Sequence, residues 1–210
     1  ALTQIANRRS FDDALARRIE EQQRRGVETS IVLLDVDHFK KFNDSHGHQA
    51  GDEVLRHVAQ VLRQNVTEAD LVARYGGEEF AIVCPTVMAT ARTATERARA
   101  AISAATLRYE GRELRVTASA GIAELQPGED QAALIKRADA ALYAAKKGGR
   151  NCLYWNDGYQ NHPFRQSPKT VPHSVDRDDL SELLGAEWTD DTGEVPEKVC
   201  SATAVYVSSK

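Results

Sequence analysis

Two adjacent glycines followed by two glutamates lie between apolar runs, in the sequence RYGGEEF at residues 74–80. The residues on either side, 71–73 and 80–83, have the apolar character of strands. Because glycine adopts positive φ without strain, a Gly-Gly pair between two strands predicts a tight hairpin with a primed turn. The tip of this hairpin bears two carboxylates. A charged tip is usually a solvated turn, and a metal or phosphate site is the alternative that the rest of the chain has to support.

The run SIVLL at residues 30–34 has the length of a strand and an almost continuous apolar character. This pattern is typical of a central strand that is buried on both faces. The run ends in Asp35, Val36 and Asp37. Since open α/β sheets usually bind ligands at the carboxyl ends of their strands, these carboxylates are candidates for a functional site.

The remaining pattern predicts further helices and strands. Ser10 is predicted to cap a first helix, which Gly26 ends. The polar, glycine-containing stretch 38–52 is predicted to be a loop, followed by a helix with its apolar residues on one face. Later elements are a helix at 86–105, a strand at 114–123, a helix at 130–147 and a short final strand at 151–155. This order predicts an α+β fold with a mixed central β-sheet flanked by helices.

Residues 1–156 are predicted to form one domain, and residues 157–210 an acidic extension that contains four of the six prolines. The extension holds too few apolar residues to form a core of its own. Within it, residues 178–184 are predicted to form a short helix and residues 202–207 a short strand. The chain starts at Ala1 without an initiator methionine. We therefore expect a fragment of a longer protein, preceded by a sensory or dimerisation region or by a membrane anchor.

The charge distribution argues against a nucleic-acid polymer as partner. Residues 156–210 hold ten acidic and five basic residues, whereas the rest of the chain is near neutral and has no long basic stripe. No run approaches the roughly 20 apolar residues that a transmembrane helix needs, and no signal peptide is visible. Three widely spaced cysteines without a CxxC motif fit a reducing compartment. We therefore expect a cytoplasmic location.

The carboxylates of the buried strand and of the hairpin together predict a metal site. If the sheet places the two elements side by side, Asp35, Glu78 and Glu79 converge at one edge, where they would repel one another unless cations lie among them. Oxygen ligands suit Mg²⁺, which commonly joins carboxylates to substrate phosphates, and two such ions would assist a phosphoryl displacement. The backbone N–H groups of residues 36–39 and the ammonium group of Lys40 are predicted to face a triphosphate.

Asn43 and Asp52 carry groups that suit a guanine edge. A carboxylate accepts from N1–H and N2–H, and an amide reaches O6 or N3. The alternative for both residues is turn formation and helix capping. Lys146 and Arg150 flank the glycines that end the last helix. They are either cations that favour a helix C terminus or contacts for phosphate.

Three long motifs resemble the GGDEF family of diguanylate cyclases. They are DVDHFKKFNDSHGHQAGD at residues 35–52, RYGGEEF at residues 74–80 and ADAALYAAKKGGRN at residues 138–151. The leading sequence LTQIANRR is similar to another motif of the family, with Gln4 in place of the usual glycine. The resemblance covers residues 1 to about 155. It implies the palm-like nucleotidyl cyclase fold, with the β-hairpin carrying the signature, and the condensation of two GTP into cyclic di-GMP with release of two pyrophosphates.

The resemblance also implies roles for individual residues. Glu78 matches the position that activates the attacking 3′-hydroxyl, and Lys40 would stabilise the transition state. The positions that match Mg²⁺ ligands are Asp35, the carbonyl of Val36, Glu78 and, as a further candidate, Glu79. The positions that match substrate-binding residues are Phe39, Asn43, His48, Asp52, Lys146 and Arg150. Two Mg²⁺ ions per active site are implied, with Mn²⁺ as an alternative.

The chain departs from the family pattern at two places. Glu78 occupies the third position of the signature, where the family name has aspartate, so a carboxylate is kept. The product-inhibition site is degenerate: only Asp70 is retained and Thr67 replaces the arginine, so weak or absent product inhibition is expected. Each monomer would hold one GTP, so catalysis would need a homodimer. The alternative is a catalytically silent GGDEF domain that serves as a GTP or cyclic di-GMP receptor or regulatory module.

Overall fold

Helices and strands alternate along most of the chain. The computed structural model describes residues 2–165, so Cys200 and the elements predicted at 178–184 and 202–207 lie outside the described part. The elements are β1 (Ala6–Asn7), α1 (Arg8–Arg25), β2 (Ser30–Val36), α2 (Phe39–His46), α3 (His48–Asn65), β3 (Leu71–Arg74), β4 (Glu79–Cys84), α4 (Met88–Ala104), β5 (Leu107–Tyr109), β6 (Arg112–Leu114), β7 (Ala118–Glu124), α5 (Gln131–Lys147), β8 (Leu153–Asn156) and β9 (Asn161–Pro163).

Seven strands form the central sheet, in the order β1-β3-β4-β2-β7-β8-β9, and β5 and β6 form a separate two-stranded hairpin. The sheet is mixed, because β2 runs antiparallel to both β4 and β7, whereas β1–β3 and β7–β8 are parallel pairs. Helices pack against both faces of the sheet. The predicted α+β fold with a mixed central sheet flanked by helices is confirmed.

β2 is buried along its whole length and divides the core into two clusters. Val32 and Leu34 pack in the cluster that includes α3 and α4, whereas Ile31 and Leu33 pack with α1 and α5. This division follows from the two-residue period of a strand. Truncating a fully buried leucine such as Leu34 typically costs about 2–5 kcal/mol of unfolding free energy. The core therefore holds the carboxyl end of β2 firmly in place.

α5 packs directly on the backbone of β7. A Cβ atom at Gly121 would lie 2.2 Å from the backbone nitrogen of Leu142 and 2.3 Å from the carbonyl oxygen of Ala138, so only glycine fits there. This close approach explains the small residues at the centre of β7. It also places the end of α5, which carries Lys146, beside the end of β2.

The stretch 38–52 is helical, which corrects the predicted loop. α2 and α3 meet at Gly47, whose φ of 84° favours glycine. Phe39 is buried and Phe42 packs against the same core cluster, so one side of α2 is apolar, while its other residues are exposed except for the half-buried Asn43. A short helix that buries only two aromatic side chains is polar overall, and for that reason its sequence indicates a loop.

The ends of two other elements also differ from the prediction. Asn7, and not Ser10, caps α1, because the Asn7 side chain accepts a hydrogen bond from the Ser10 N–H group. Gly26 ends α1 in a left-handed conformation, as predicted. The glycines of the hairpin, Gly76 and Gly77, do not have positive φ, so the predicted primed turn is wrong.

The strands after residue 105 are more numerous than predicted. The segment 114–123 divides into the end of β6 and most of β7. The segment 151–155 is not the last strand, since β9 pairs with β8. β9 lies in the segment that the sequence assigns to the extension, and the domain boundary at 156 stays a prediction. Among the described residues, none of the helices combines the length and apolar character that a membrane span requires.

Candidate active site

The end of β2 places Asp35 between two neighbouring strands. In the register of the sheet, Asp35 lies opposite Glu79 of β4 and Ser119 of β7. Asp35 is 9% exposed, and its Oδ2 atom forms an ion pair of 2.8 Å with Nζ of Lys146 at the end of α5. Lys146 therefore neutralises this carboxylate from the side of the sheet that α5 covers.

Burial raises the pKa of the Asp35 carboxyl above its ordinary value, because the charged form loses water. The hydrogen bond and charge of Lys146 and the charge of Arg150 lower this pKa, and the nearby Asp37 carboxylate raises it. The net direction is upward. An acid whose pKa is higher in the folded than in the unfolded chain destabilises the fold as pH rises through the window between the two values. Ionised Asp35 therefore costs stability at neutral pH.

We expect Asp35→Asn to be at least as stable as the wild type at neutral pH. The amide has no charge to desolvate, and the Lys146 side chain is 32% exposed, so it stays hydrated without its partner. The difference should shrink as the pH falls below about 4, because a carboxyl whose pKa is raised above its ordinary value is protonated there. Urea denaturation of both proteins at the two pH values measures it, and a clear loss of stability in the variant at neutral pH would contradict the expected sign.

A cavity of about 500 Å³ lies between the starts of α2 and α3 and the turn of the hairpin. Its walls are formed by Phe39, Lys40, Asn43, Asp44, His48, Asp52, Leu55, Arg74, Gly77 and Glu78. This volume is typical of small-molecule sites, which span about 300–1,000 Å³. The cavity brings the predicted substrate residues of α2 and α3 together with Glu78. Asp44, Leu55 and Arg74 are wall residues that the sequence pattern does not single out.

Asn43 presents an unsatisfied acceptor in this cavity wall. Its Oδ1 atom is buried and has no hydrogen-bond partner within the described part of the chain. A Cβ atom added at Gly51 would lie only 1.9 Å from this Oδ1 atom. The glycine at the start of α3 therefore leaves the space that the Asn43 amide occupies. A buried, unpaired polar atom is costly, and Asn43 keeps this conformation in a residue that lines the cavity.

The turn of the hairpin is held by its own backbone. The N–H groups of Tyr75 and Gly76 donate to the carbonyl of Glu79 at 2.8 and 3.2 Å. Arg74 donates from Nη2 to the carbonyl oxygen of Gly77 at 2.6 Å. A Cβ atom at Gly76 would lie 2.5 Å from the end of the exposed Glu79 side chain, which would have to move, and the predicted positive φ at this glycine does not apply.

The two glutamates of the turn line different cavities. Glu78 lines the cavity shared with α2 and α3, whereas Glu79 lines a smaller one of about 220 Å³ beside Tyr75 and Leu142. Within residues 2–165, no three His, Cys, Asp or Glu side chains lie together as a metal-binding group. The register places Asp35 opposite Glu79 at one edge of the sheet, while the Glu79 carboxylate lies over Gly76, and the shared metal site of Asp35, Glu78 and Glu79 stays a prediction.

The backbone at the end of β2 is partly engaged. The N–H group of Val36 donates to the Glu78 carbonyl at 3.3 Å, and that of Asp37 donates to the Thr117 carbonyl at 2.9 Å. These two groups do not face a triphosphate, which corrects the prediction for Val36 and Asp37 and leaves that for residues 38 and 39 as a prediction. The N–H groups at the start of α2 remain as candidates for contact with phosphate. His38 precedes this helix with a φ of 57° and makes no side-chain cap. The first N–H groups of a helix favour anions.

Thr67 and Asp70, where a degenerate product-inhibition site is predicted, form a closed turn. Oδ2 of Asp70 accepts from the Thr67 N–H group at 2.7 Å and from its hydroxyl at 2.9 Å. The Asp70 carboxylate also adjoins the buried Cys84 thiol, and burial together with this charge raises the pKa of Cys84. Asp70 is thus occupied by contacts within the chain.

Comparison with known proteins identifies relatives of this chain. A family model described as "Diguanylate cyclase, GGDEF domain" matches residues 1–152. The chain is 42% identical over 153 residues to the diguanylate cyclase DgcP of Pseudomonas aeruginosa and 43% identical over 156 residues to the response regulator PleD of Caulobacter vibrioides. Each match covers 72% of this chain, but 23% of DgcP and 34% of PleD. The chain therefore spans about a quarter to a third of the length of these relatives.

Solved structures show the same fold. The GGDEF domain of DgcB from Caulobacter crescentus, in complex with c-di-GMP, is similar with a TM-score of 0.70 and 43% identity, over 72% of this chain and 88% of that one. The active GGEEF domain of a diguanylate cyclase from Vibrio cholerae is similar with a TM-score of 0.66 and 32% identity, over 70% of this chain and 95% of that one. These likenesses agree with the fold described above.

Proposed function

Because the chain belongs to the GGDEF domain family, we propose that it is a diguanylate cyclase, which condenses two GTP into cyclic di-GMP and releases two pyrophosphates. The observation that carries the proposal is the cavity of about 500 Å³ that Glu78 of the signature shares with Lys40, Asn43 and Asp52. The Vibrio cholerae domain described as active also has glutamate at the third signature position. This supports a catalytic role for the glutamate variant.

Asn43 and Asp52 are assigned to the guanine base. Asn43 lines the cavity, and its amide is packed against Gly51, which fixes the side chain that would contact the base. The half-buried Asp52 carboxylate would accept from N1–H and N2–H of guanine, whereas adenine offers no donor at N1. His48 and Phe39 complete the wall of the same cavity. The pair therefore favours GTP over ATP.

The donor set beside this cavity fits Mg²⁺. Asp35 and Glu78 supply carboxylate oxygens and Val36 a backbone carbonyl, and hard cations prefer such ligands. The hydrogen bond of 3.3 Å from the Val36 N–H group to the Glu78 carbonyl makes these two residues neighbours. Two bound Mg²⁺ ions, or Mn²⁺ in their place, would offset the charge that develops on the reacting phosphate. Glu79 is the weaker candidate, since it lines the other cavity.

The remaining site residues are assigned to proton transfer from the attacking hydroxyl and to phosphate binding. Glu78 is assigned to accept the proton of the attacking 3′-hydroxyl. The ammonium group of Lys40, on the first turn of α2, would stabilise the charged transition state. Lys146 and Arg150, at the end of α5, supply further cations for phosphate. Since the product joins two nucleotides and each chain carries one such cavity, two chains would face each other as a homodimer, with the catalytic domain at residues 1–156.

A GTP turnover assay with product identification tests this function. We expect cyclic di-GMP and pyrophosphate from GTP and Mg²⁺, and a specific activity that rises with protein concentration because two chains must meet. Nucleotide that is bound but not converted, at the highest protein concentration used, would favour the receptor alternative. Deleting residues 157–210 and repeating the assay shows whether the extension contributes to activity.

We expect the enzyme to keep most of its initial rate when cyclic di-GMP is added. The carboxylate of Asp70 is already bound by Thr67, and the guanidinium that would hold a second product molecule is missing at position 67. Thr67→Arg should make the initial rate sensitive to added product. Thr67→Lys is the matched control, because it restores the charge without the bidentate geometry. Strong inhibition of the wild-type chain by product would contradict the proposal.

A further inference from the structure

Asp37 is a buried carboxylate that the proposed reaction does not use. It is 6% exposed and accepts three hydrogen bonds: from the Thr117 hydroxyl at 2.7 Å, from the Ser119 hydroxyl at 2.7 Å and from the Asn151 N–H group at 3.0 Å. Its own N–H group donates to the Thr117 carbonyl. Both carboxylate oxygens are therefore engaged by donors of the chain. Although it lies two residues from Asp35, Asp37 is placed as a structural acceptor and not as a metal ligand.

The Asn151 contact reaches an unusual turn. Arg150 and Asn151, which follow the end of α5, both have left-handed backbones, with φ of 63° and 46°. Two successive residues other than glycine adopt this conformation only where the surroundings hold them. Asp37 holds the turn from the sheet side through the Asn151 N–H group. On the other side, Arg99 of α4 donates to Oδ1 of Asn151, and Nδ2 of Asn151 donates to Ser103 at 3.3 Å.

We propose that Asp37 is a positioning residue, which fixes the left-handed turn 149–151 and so directs the guanidinium group of Arg150 toward the phosphate site beside Asp35. Arg150 is near enough to Asp35 for its charge to lower the pKa of that carboxyl, although burial raises this pKa overall. The Asp37 carboxylate connects the turn to the end of the sheet through Asn151, while the Arg150 N–H group donates to the Ala145 carbonyl at 3.1 Å. Releasing Asp37 removes the restraint on the sheet side, so the backbone of the turn can shift and carry Arg150 with it. The catalytic consequence of this inference rests on the proposed cyclase activity, whereas the restraint of the turn does not.

Amide hydrogen exchange measured by NMR tests the restraint without any assay of activity. In Asp37→Ala, the Asn151 amide should exchange at least about tenfold faster, because its acceptor is lost, while amides in the middle of α3 stay unchanged. Asp37→Asn keeps the shape and one acceptor oxygen, and the Thr117 and Ser119 hydroxyls can turn to accept from its amide. A neutral acceptor is weaker than a carboxylate. The Asn151 amide should therefore exchange faster than in the wild type but slower than in Asp37→Ala.

Kinetics test the consequence for the site. Asp37→Ala should raise KM for GTP about tenfold with a smaller change in kcat, Asp37→Asn should recover most of this loss, and Asp13→Ala, an exposed aspartate on α1, should change neither. In an Arg150→Ala background, Asp37→Ala should add little, because the group that it positions is already absent. A full additional increase in KM in that background would overturn the proposal. So would a tenfold shift in the Mg²⁺ requirement with unchanged exchange at Asn151, which would mark Asp37 as a metal ligand.

Two outcomes separate this inference from the proposed function. If the wild-type chain makes no cyclic di-GMP, the cyclase proposal fails, and the exchange of the Asn151 amide still decides the restraint. If Asp37→Ala does not fold, Asp37→Asn takes its place, and unchanged exchange at Asn151 in that variant overturns the restraint.

Discussion

Replacing Glu78 with alanine should lower the rate of cyclic di-GMP synthesis by about a hundredfold to a thousandfold, the range seen when one group that stabilises a transition state is removed. Glu78 is the signature carboxylate that lines the cavity of Lys40 and Asn43. The substitution would remove both proposed roles of Glu78, as a proton acceptor and as a metal ligand. Because Glu78 lies in a turn and is only partly buried, the fold should survive, and a thermal unfolding curve checks this.

Two controls separate Glu78 from the effect of negative charge in general. Glu68→Ala removes an exposed carboxylate from the turn before β3 and should leave the rate unchanged. Glu79→Ala removes the neighbouring carboxylate, which lines the other cavity, and should lower the rate by less than about tenfold. If Glu79→Ala were as damaging as Glu78→Ala, the assignment of the two glutamates would be reversed. Full activity of Glu78→Ala would contradict the proposed role of Glu78 in the reaction.

Replacing Gly51 with alanine should raise KM for GTP by about tenfold to a hundredfold, the equivalent of about 1–3 kcal/mol for a misplaced buried hydrogen bond. The new Cβ atom would lie 1.9 Å from Oδ1 of Asn43 and 3.1 Å from Cζ of Phe39. The amide must therefore move out of the position from which it would meet the base. Isothermal titration with a non-hydrolysable GTP analogue measures the loss of affinity directly.

A double-mutant cycle shows whether this loss acts through Asn43. In an Asn43→Ala background the clash with the amide disappears and only the 3.1 Å approach to Phe39 remains, so Gly51→Ala should have little further effect on GTP affinity. In the same background it should raise the stability of the fold by about 0.5–1 kcal/mol, because alanine favours a helix more than glycine. Equal losses of affinity in both backgrounds would show that Gly51 acts by another route.

The strands that carry the site are predictable from the sequence, because their signals are local. The buried run that leads into Asp35 and the apolar residues around the signature both have strand patterns, and the structure confirms β2 and the hairpin beside it. The motifs also place Asn43 and Asp52 in one site, and the cavity agrees. The helical state of 38–52 is missed because a mostly exposed short helix has no strong apolar period.

Side-chain direction at the site is not predictable in the same way. Glu78 and Glu79 are adjacent in sequence and chemically identical, and only the path of the turn decides which cavity each one lines. Asp35 and Asp37 share one face of a strand by spacing, yet one pairs with Lys146 and the other with two hydroxyls and an N–H group. These partners come from residues 80 or more positions away, so no local pattern reports them.

The closed turn between Thr67 and Asp70 has a consequence for the time course of the proposed reaction. A cyclase that its product does not inhibit converts GTP at a constant rate until the substrate falls toward KM, so its progress curve should be a straight line. The level of cyclic di-GMP then depends on how much of the enzyme is paired and on how fast phosphodiester hydrolysis removes the product. The level of cyclic di-GMP would therefore be controlled by dimer formation of the cyclase and by hydrolysis of the product.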